Sequence, residues 1–172
     1  MTTQSKDRNG NTALHLAAQD GDIETCKLLI HLRNEQNCLG EVPIHLAAKN
    51  GHLAICELLY DTRFRTNSYK RTAIHESAIW GHLDICKLLI DTKYGRTNQG
   101  STPLHLAAKN GHSDIVKLFI HLRREKDDKG ETALQVASNK EIVDLLTEPE
   151  LEDAINHLQG LLNKVKRLVQ QK

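Results

Sequence analysis

The chain repeats itself. Shifted by thirty residues, it sets NTALHLAAQDGD against EVPIHLAAKNGH, RTAIHESAIWGH, STPLHLAAKNGH and a shortened ETALQVASNKEI. Five copies in one register dictate a quasi-one-dimensional stack, in which each unit leans on its neighbours rather than on a common centre.

Each copy reads as two helices. Thr12, Thr72, Thr102 and Thr132 stand where a helix begins, and Pro43 and Pro103 take the first helical position in two copies, the order expected of an N-cap followed by N1. The pairs Ala17-Ala18, Ala47-Ala48 and Ala107-Ala108 allow close helix approach. Gly21, Gly51, Gly81 and Gly111 then end the first helix. A second helix follows with apolar residues at helical spacing, such as Leu53, Ile55, Cys56, Leu58 and Leu59. Neither helix can bury its stripe alone, so the copies must stack.

The stretch STPLHLAAKNGHSDIVKLFI at 101–120 closely resembles an ankyrin repeat, in its T-P-L-H-L-A-A box and its G-H-x-x-I-V-K-L tail. The resemblance spans roughly residues 7–147, with units near 7–36, 37–66, 67–96, 97–126 and 127–147. It implies an all-α solenoid of stacked antiparallel helix pairs, with loops projecting as fingers and a concave face made by fingers and first helices. It also implies binding of a partner protein and no catalysis. The period is shorter than the usual value of about 33, so short fingers are expected. The fifth copy lacks the Gly-His turn and reads as a terminal cap, and Thr25 replaces the isoleucine of Ile55, Ile85 and Ile115, as suits an exposed first unit.

A chain of 172 residues suits one domain. Its 23 Lys plus Arg balance 22 Asp plus Glu for a net charge of +1, so no global field draws it to nucleic acid or an anionic membrane. The start, MTTQSKDRNG, has no apolar leader core, and no apolar run reaches the ~18 residues of a membrane span. The expected compartment is the cytoplasm, with the nucleus an alternative; export of an effector by a non-classical route would leave no mark in the sequence.

Seven of the ten histidines obey the repeat: His15, His45, His75 and His105 in the T-x-x-H box, and His52, His82 and His112 after the glycine. The third copy, RTAIHESAIWGH, looks at first like a damaged zinc-protease helix. Such a helix needs a second histidine four residues after the first, and that position is Ile79. The ankyrin resemblance implies that the box histidines tie neighbouring units together, and no catalytic residue, metal ligand, cofactor or small-molecule substrate is assigned. Cys26, Cys56 and Cys86 share one apolar position and read as small core hydrophobes, whereas Cys38 sits in a finger. Arg33, Arg63, Lys93 and Arg123, with Arg65, Arg96 and Arg124 nearby, form a basic ladder after the second helices. Cations meeting helix C-termini explain it better than an acidic or nucleic-acid partner does.

The ankyrin resemblance implies that the variable finger positions and the two residues after the alanine pair face the partner, and the candidate partner-binding residues are taken from these and from departures in the third copy. After the alanine pair, other copies carry Lys49-Asn50 and Lys109-Asn110, but the third carries Ile79-Trp80. Its finger presents Tyr69 and Arg71, and Glu76 replaces a leucine. Leu39 and Gln99 in the adjoining fingers complete the set. Trp and Tyr beside Arg is the composition of an interface hot spot; the competing reading is that Trp80 merely covers a neighbouring repeat. Finally, residues 148–172 open with a capping box from Thr147 to Glu150 and carry Leu151, Ile155, Leu158, Leu162, Val165 and Val169 at helical spacing. They are expected to form an amphipathic helix that caps a monomeric stack, with a homodimeric coiled coil and a basic membrane-surface helix as alternatives.

Overall fold

The structure, a computed structural model, describes residues 5–90, 95–147 and 157–161. Four helix pairs stack in order: α1 (Ala13–Asp20) with α2 (Ile23–Leu28), α3 (Pro43–Asn50) with α4 (Leu53–Leu58), α5 (Ala73–Trp80) with α6 (Leu83–Leu89), and α7 (Pro103–Asn110) with α8 (Ser113–Leu118). Inner helices pack on inner helices and outer on outer along the stack. The core runs between the two rows as one continuous cluster, from Leu14 through Ile44, Ile74 and Leu104 to Ile142 and Leu146. Among the described residues no strand forms.

The box histidine joins one unit to the next. His15 Nε2 lies 2.9 Å from the Glu41 carbonyl, His45 Nε2 3.0 Å from that of Arg71, and His105 Nε2 3.0 Å from that of Glu131. A carbonyl can only accept, so Nε2 carries the hydrogen and Nδ1 is left to accept. Nδ1 of His15 duly takes the backbone N–H of Thr12 at 3.2 Å and its hydroxyl at 2.9 Å. Thr12, Thr72 and Thr102 hold the N-cap position as expected, each in a capping box with its histidine. The Thr hydroxyl serves the ring, and the ring serves the helix start.

A second staple lies at the glycines. His52, His82 and His112 direct Nε2 at the carbonyls of Gln19, Lys49 and Ile79 one unit back, at 2.9, 3.0 and 2.8 Å. Gly21, Gly51 and Gly81 have φ near +80°, and a Cβ on any of them would meet that ring at 2.7 Å. Glycine is thus needed twice, for the left-handed helix end and for the room.

The fingers are four-residue turns joined tip to tip. Cys38, Ser68, Asn98 and Asp128 each donate a backbone N–H to the carbonyl of the preceding tip, Asn9, Leu39, Tyr69 and Gln99, at 2.9–3.0 Å. An Asx turn closes most of them: Asp7, Asn37, Asn67 and Asp127 accept two backbone N–H groups on one Oδ1 at 2.8–3.0 Å. Finger four has Thr97 instead, whose shorter side chain accepts from Gln99 and Ser101 at 3.3 and 3.2 Å. The Ser101 carbonyl should receive the next box histidine; among the described residues His75 Nε2 makes no hydrogen bond of normal geometry, although the backbone of Gly95 and Ser101 still acts on the ring. The third unit also differs at its outer end. Three outer helices run into short 3-10 turns (Ile30–Leu32, Tyr60–Thr62 and Ile120–Leu122), whereas α6 ends at an extended Ile90.

The fifth unit departs from the helix-pair pattern. Residues 133–136 form a turn in place of an inner helix, followed by α9 over residues 140–147. Gln135 replaces the box histidine: its Oε1 takes the Thr132 backbone N–H at 2.7 Å, so the inward half of the ring's work survives and the outward half is dropped. Ser138 N–H supplies the backward tie to Ala108. Residues 157–161 are helical, with Leu158 63% exposed; the rest of the expected C-terminal helix lies outside the described residues.

The buried thiols act as core hydrophobes, with burial pushing Cys26 and Cys86 up to about 11 and Cys56 up to about 12. Burial holds the rings of His15, His45 and His75 below the ordinary histidine range, His75 at about 4. A ring with a depressed folded pKa stays neutral while its unfolded counterpart, near 6.5, takes up a proton. The unfolded chain therefore binds more protons below about pH 6.5, and stability falls as pH drops from there towards 4. Burial raises the Glu76 carboxyl and works in the opposite sense, but it is one group against three. The urea midpoint should fall between pH 7.5 and 5; a flat profile would show that the rings take no part. Thr97→Asn, restoring the turn of fingers two and three, should stabilise the fold by about 0.5–1 kcal/mol, read as a rise of about 1–4 °C in Tm.

Candidate partner-binding face

The candidate residues lie on the row of inner helices and on the finger tips, and each takes its place from the repeat register. Trp80 ends α5 and is 53% exposed, with Lys49 Nζ 5.3 Å from its ring centroid. It lies outside the buried core cluster. Ile79 is half-buried against the core edge, and its carbonyl is already taken by His112. At the third finger, Tyr69 is 50% exposed, and the Arg71 guanidinium lies 5.3 Å from its ring centroid.

Glu76 does not stand on the open face. It is 4% exposed at the root of finger three, where Asn67 donates to Oε1 at 3.4 Å and Arg71 Nη1 approaches it at 3.6 Å. Burial raises its pKa while Arg71 pulls the other way. Its effect on the surface passes through Arg71, which it steadies from behind. Asn50 and Asn110 are exposed, but their amides donate back to Leu46 and Leu106 of their own helices at 2.8 and 2.7 Å. They finish helix ends before they offer anything outward.

The remaining candidates gather in two clefts. One, of about 370 Å³ in the first two units, is lined by Leu39, Lys49, Leu46 and Gln19 among others. The other, of about 420 Å³, spans units three to five and brings Arg71, Ile79, Gln99, Lys109 and Asn110 together. Arg71, Gln99 and Tyr69 also line a smaller hollow of about 180 Å³ beside it.

The larger cleft includes residues that sequence reasoning missed: Leu106, Val136, Asp127, Lys129 and Glu131. Lys129 was within reach, because it aligns with Leu39, Tyr69 and Gln99 at the finger tips. The altered fifth unit concealed it.

The basic ladder is largely occupied by the fold. Arg33 Nε pairs with Asp61 at 2.7 Å, and Arg63 Nη1 donates to the Tyr60 carbonyl at 3.1 Å. Arg63 also lies between the Tyr60 and Phe64 rings, at 4.0 and 4.1 Å from their centroids. Arg96 bonds the Gly100 carbonyl at 2.9 Å and pairs with Glu125. Lys93 lies outside the described residues. Among those described, no group of three or more His, Cys, Asp or Glu side chains could hold a metal ion, and no helix is long and apolar enough to cross a membrane.

The family model for ankyrin repeats (3 copies) matches residues 14–99 and 93–157. The chain belongs to the ankyrin-repeat family. Ankyrin repeats generally mediate protein–protein interaction and are typically non-enzymatic. No curated protein matches the sequence.

One backbone feature of this ankyrin stack lies on the candidate face. Four fingers place glycine in the left-handed turn position, at Gly10, Gly40, Gly100 and Gly130, while finger three places Lys70 there with φ +54°. A side chain in that region costs about 1–2 kcal/mol, partly offset by the greater freedom that glycine loses on folding. Lys70→Gly should therefore stabilise the stack by up to about 1 kcal/mol, seen as a higher urea midpoint with an unchanged slope.

Proposed function

We propose that this ankyrin stack is a non-enzymatic protein-interaction module that binds a partner protein on its concave face, with unit three at the centre. The observation that carries this reading is Trp80, half-exposed under the Lys49 ammonium and outside the core. Ile79 continues the apolar surface into the larger cleft, and Arg71 and Tyr69 rise beside it from the finger. A large amphipathic ring held by a rigid scaffold loses little entropy on binding, which is why Trp, Tyr and Arg dominate interface energetics. Lys49, Arg71 and Lys109 would orient the partner.

A second reading is favoured by one observation. Leu158 and Leu161 stand exposed on the helical residues 157–161, so the segment 148–172 would pair two copies of the chain, which would then present two concave faces. Light scattering of the full chain beside a truncation after Glu148 separates the two cases: loss of a dimer supports pairing, and a destabilised monomer supports a cap.

Trp80→Ala is the direct test of the partner face. Proteins captured from native extract by the wild-type chain should be lost on this variant, with affinity falling by about 2 kcal/mol or more, roughly thirtyfold, and Tm nearly unchanged. A large fall in Tm with binding retained would make Trp80 a structural residue.

A further inference from the structure

The cleft across units three to five has a charge pattern that narrows what can fill it. Its floor is apolar, formed by Ile79, Leu106 and Val136. Its walls carry three cations, Arg71 from finger three, Lys109 from the end of α7 and Lys129 from the tip of finger five. Lys109 and Lys129 are exposed, and no carboxylate among the described residues pairs with either. Asp127 and Glu131 line the same cleft, where the three cations outnumber them. Asp127 Oδ1 is committed to the backbone N–H groups of Lys129 and Glu131, at 2.9 Å each. Arg71 is braced by the buried Glu76 at 3.6 Å and faces the Tyr69 ring, so its guanidinium is held in place before any ligand arrives.

We infer that this cleft is the specificity pocket of the interaction face and takes an acidic segment of the partner in extended form, seating an aliphatic side chain between acidic residues. The inference rests on the partner-binding reading above and adds the chemistry of the ligand. Stacked helices lie about 8–10 Å apart, so fingers three and five stand about 20 Å from each other. About six extended residues, at roughly 3.3 Å each, cover that distance. Alternate side chains of such a segment point the same way. One apolar side chain therefore drops onto Ile79, Leu106 and Val136 while carboxylates on either side meet Arg71 at one wall and Lys109 and Lys129 at the other.

A nucleic acid fits less well, because the one ring among the lining residues, His105, is buried and tied to Thr102 and the Glu131 carbonyl, which leaves none for a base to stack on. Tyr69 contributes to the neighbouring hollow instead.

The test is selection of a random peptide library displayed on phage against the full chain, followed by fluorescence anisotropy of the synthetic consensus peptide. The expected consensus carries an aliphatic residue flanked by Asp or Glu. Lys109→Glu and Lys129→Glu should weaken it about threefold each and about tenfold together, and added salt should weaken it further. Lys27→Glu, on the outer helix α2, makes the same change in net charge and should leave binding unaltered. A consensus without acidic residues, indifference to both reversals, or displacement of the peptide by a single-stranded DNA oligonucleotide would overturn the inference. If peptides are selected and lost on Trp80→Ala but survive both lysine reversals, the interaction face stands and the pocket assignment falls. If no peptide or native partner depends on Trp80, Lys109 or Lys129, both fall.

Discussion

The stack depends on a neutral imidazole satisfied in two directions at once. A buried ring nitrogen costs free energy unless it is paired, and the box histidine pairs both: Nδ1 with the start of its own helix, Nε2 with a carbonyl of the next finger. Local and long-range structure are therefore fixed by the same side chain. A helix pair of this size has too little apolar surface to stand alone. The ring that starts the helix is also the one that brings in the neighbour against which it can bury that surface. The His-to-carbonyl tie at each glycine turn runs the other way along the stack, so the outer and inner rows are sewn in opposite directions.

Because these ties use repeat positions, the others are free to vary. The ledge after the alanine pair and the finger tips carry few of the joining contacts, such as Asn98 Nδ2 to the Ser68 carbonyl, and it is there that Ile79, Trp80, Tyr69, Lys109 and Lys129 appear. Arg71 belongs partly to both classes, giving its carbonyl to His45 and its guanidinium to the cleft. Unit three concentrates the departures: a tryptophan, a strained lysine and a buried glutamate. Departure from local rules tends to gather where a chain does its work.

The scaffold was legible because it is periodic. Helix starts, glycine ends, the core position of three cysteines and the tying role of the histidines could each be read several times over, in copies that check one another. What escaped was whatever depends on a single contact. The sequence places Glu76 on the variable surface, but its fate turns on Asn67 and Arg71 reaching it from the finger. Asn50 and Asn110 occupy exposed positions, yet their amides fold back onto their own helices. Thr12, Thr72 and Thr102 stand at helix starts as their pattern suggests, whereas Thr132 opens a turn; the hydroxyl's ring partner follows from having histidine three residues on. The wall supplied by finger five was concealed because that unit no longer matches its template.

The glycine turns carry a genetic implication. At Gly21, Gly51 and Gly81 the space for a side chain is denied by an imidazole that belongs to the following unit. Part of the injury from a larger residue there would thus be inflicted by a ring about one period downstream, at His52, His82 or His112. Relief of that part belongs at the second address: a suppressor of a substitution in one unit would be sought in the next, as a smaller side chain at the histidine, at the expense of the tie it makes. The backbone strain at the glycine itself would stay uncorrected, so such pairs would rescue in part and never in full.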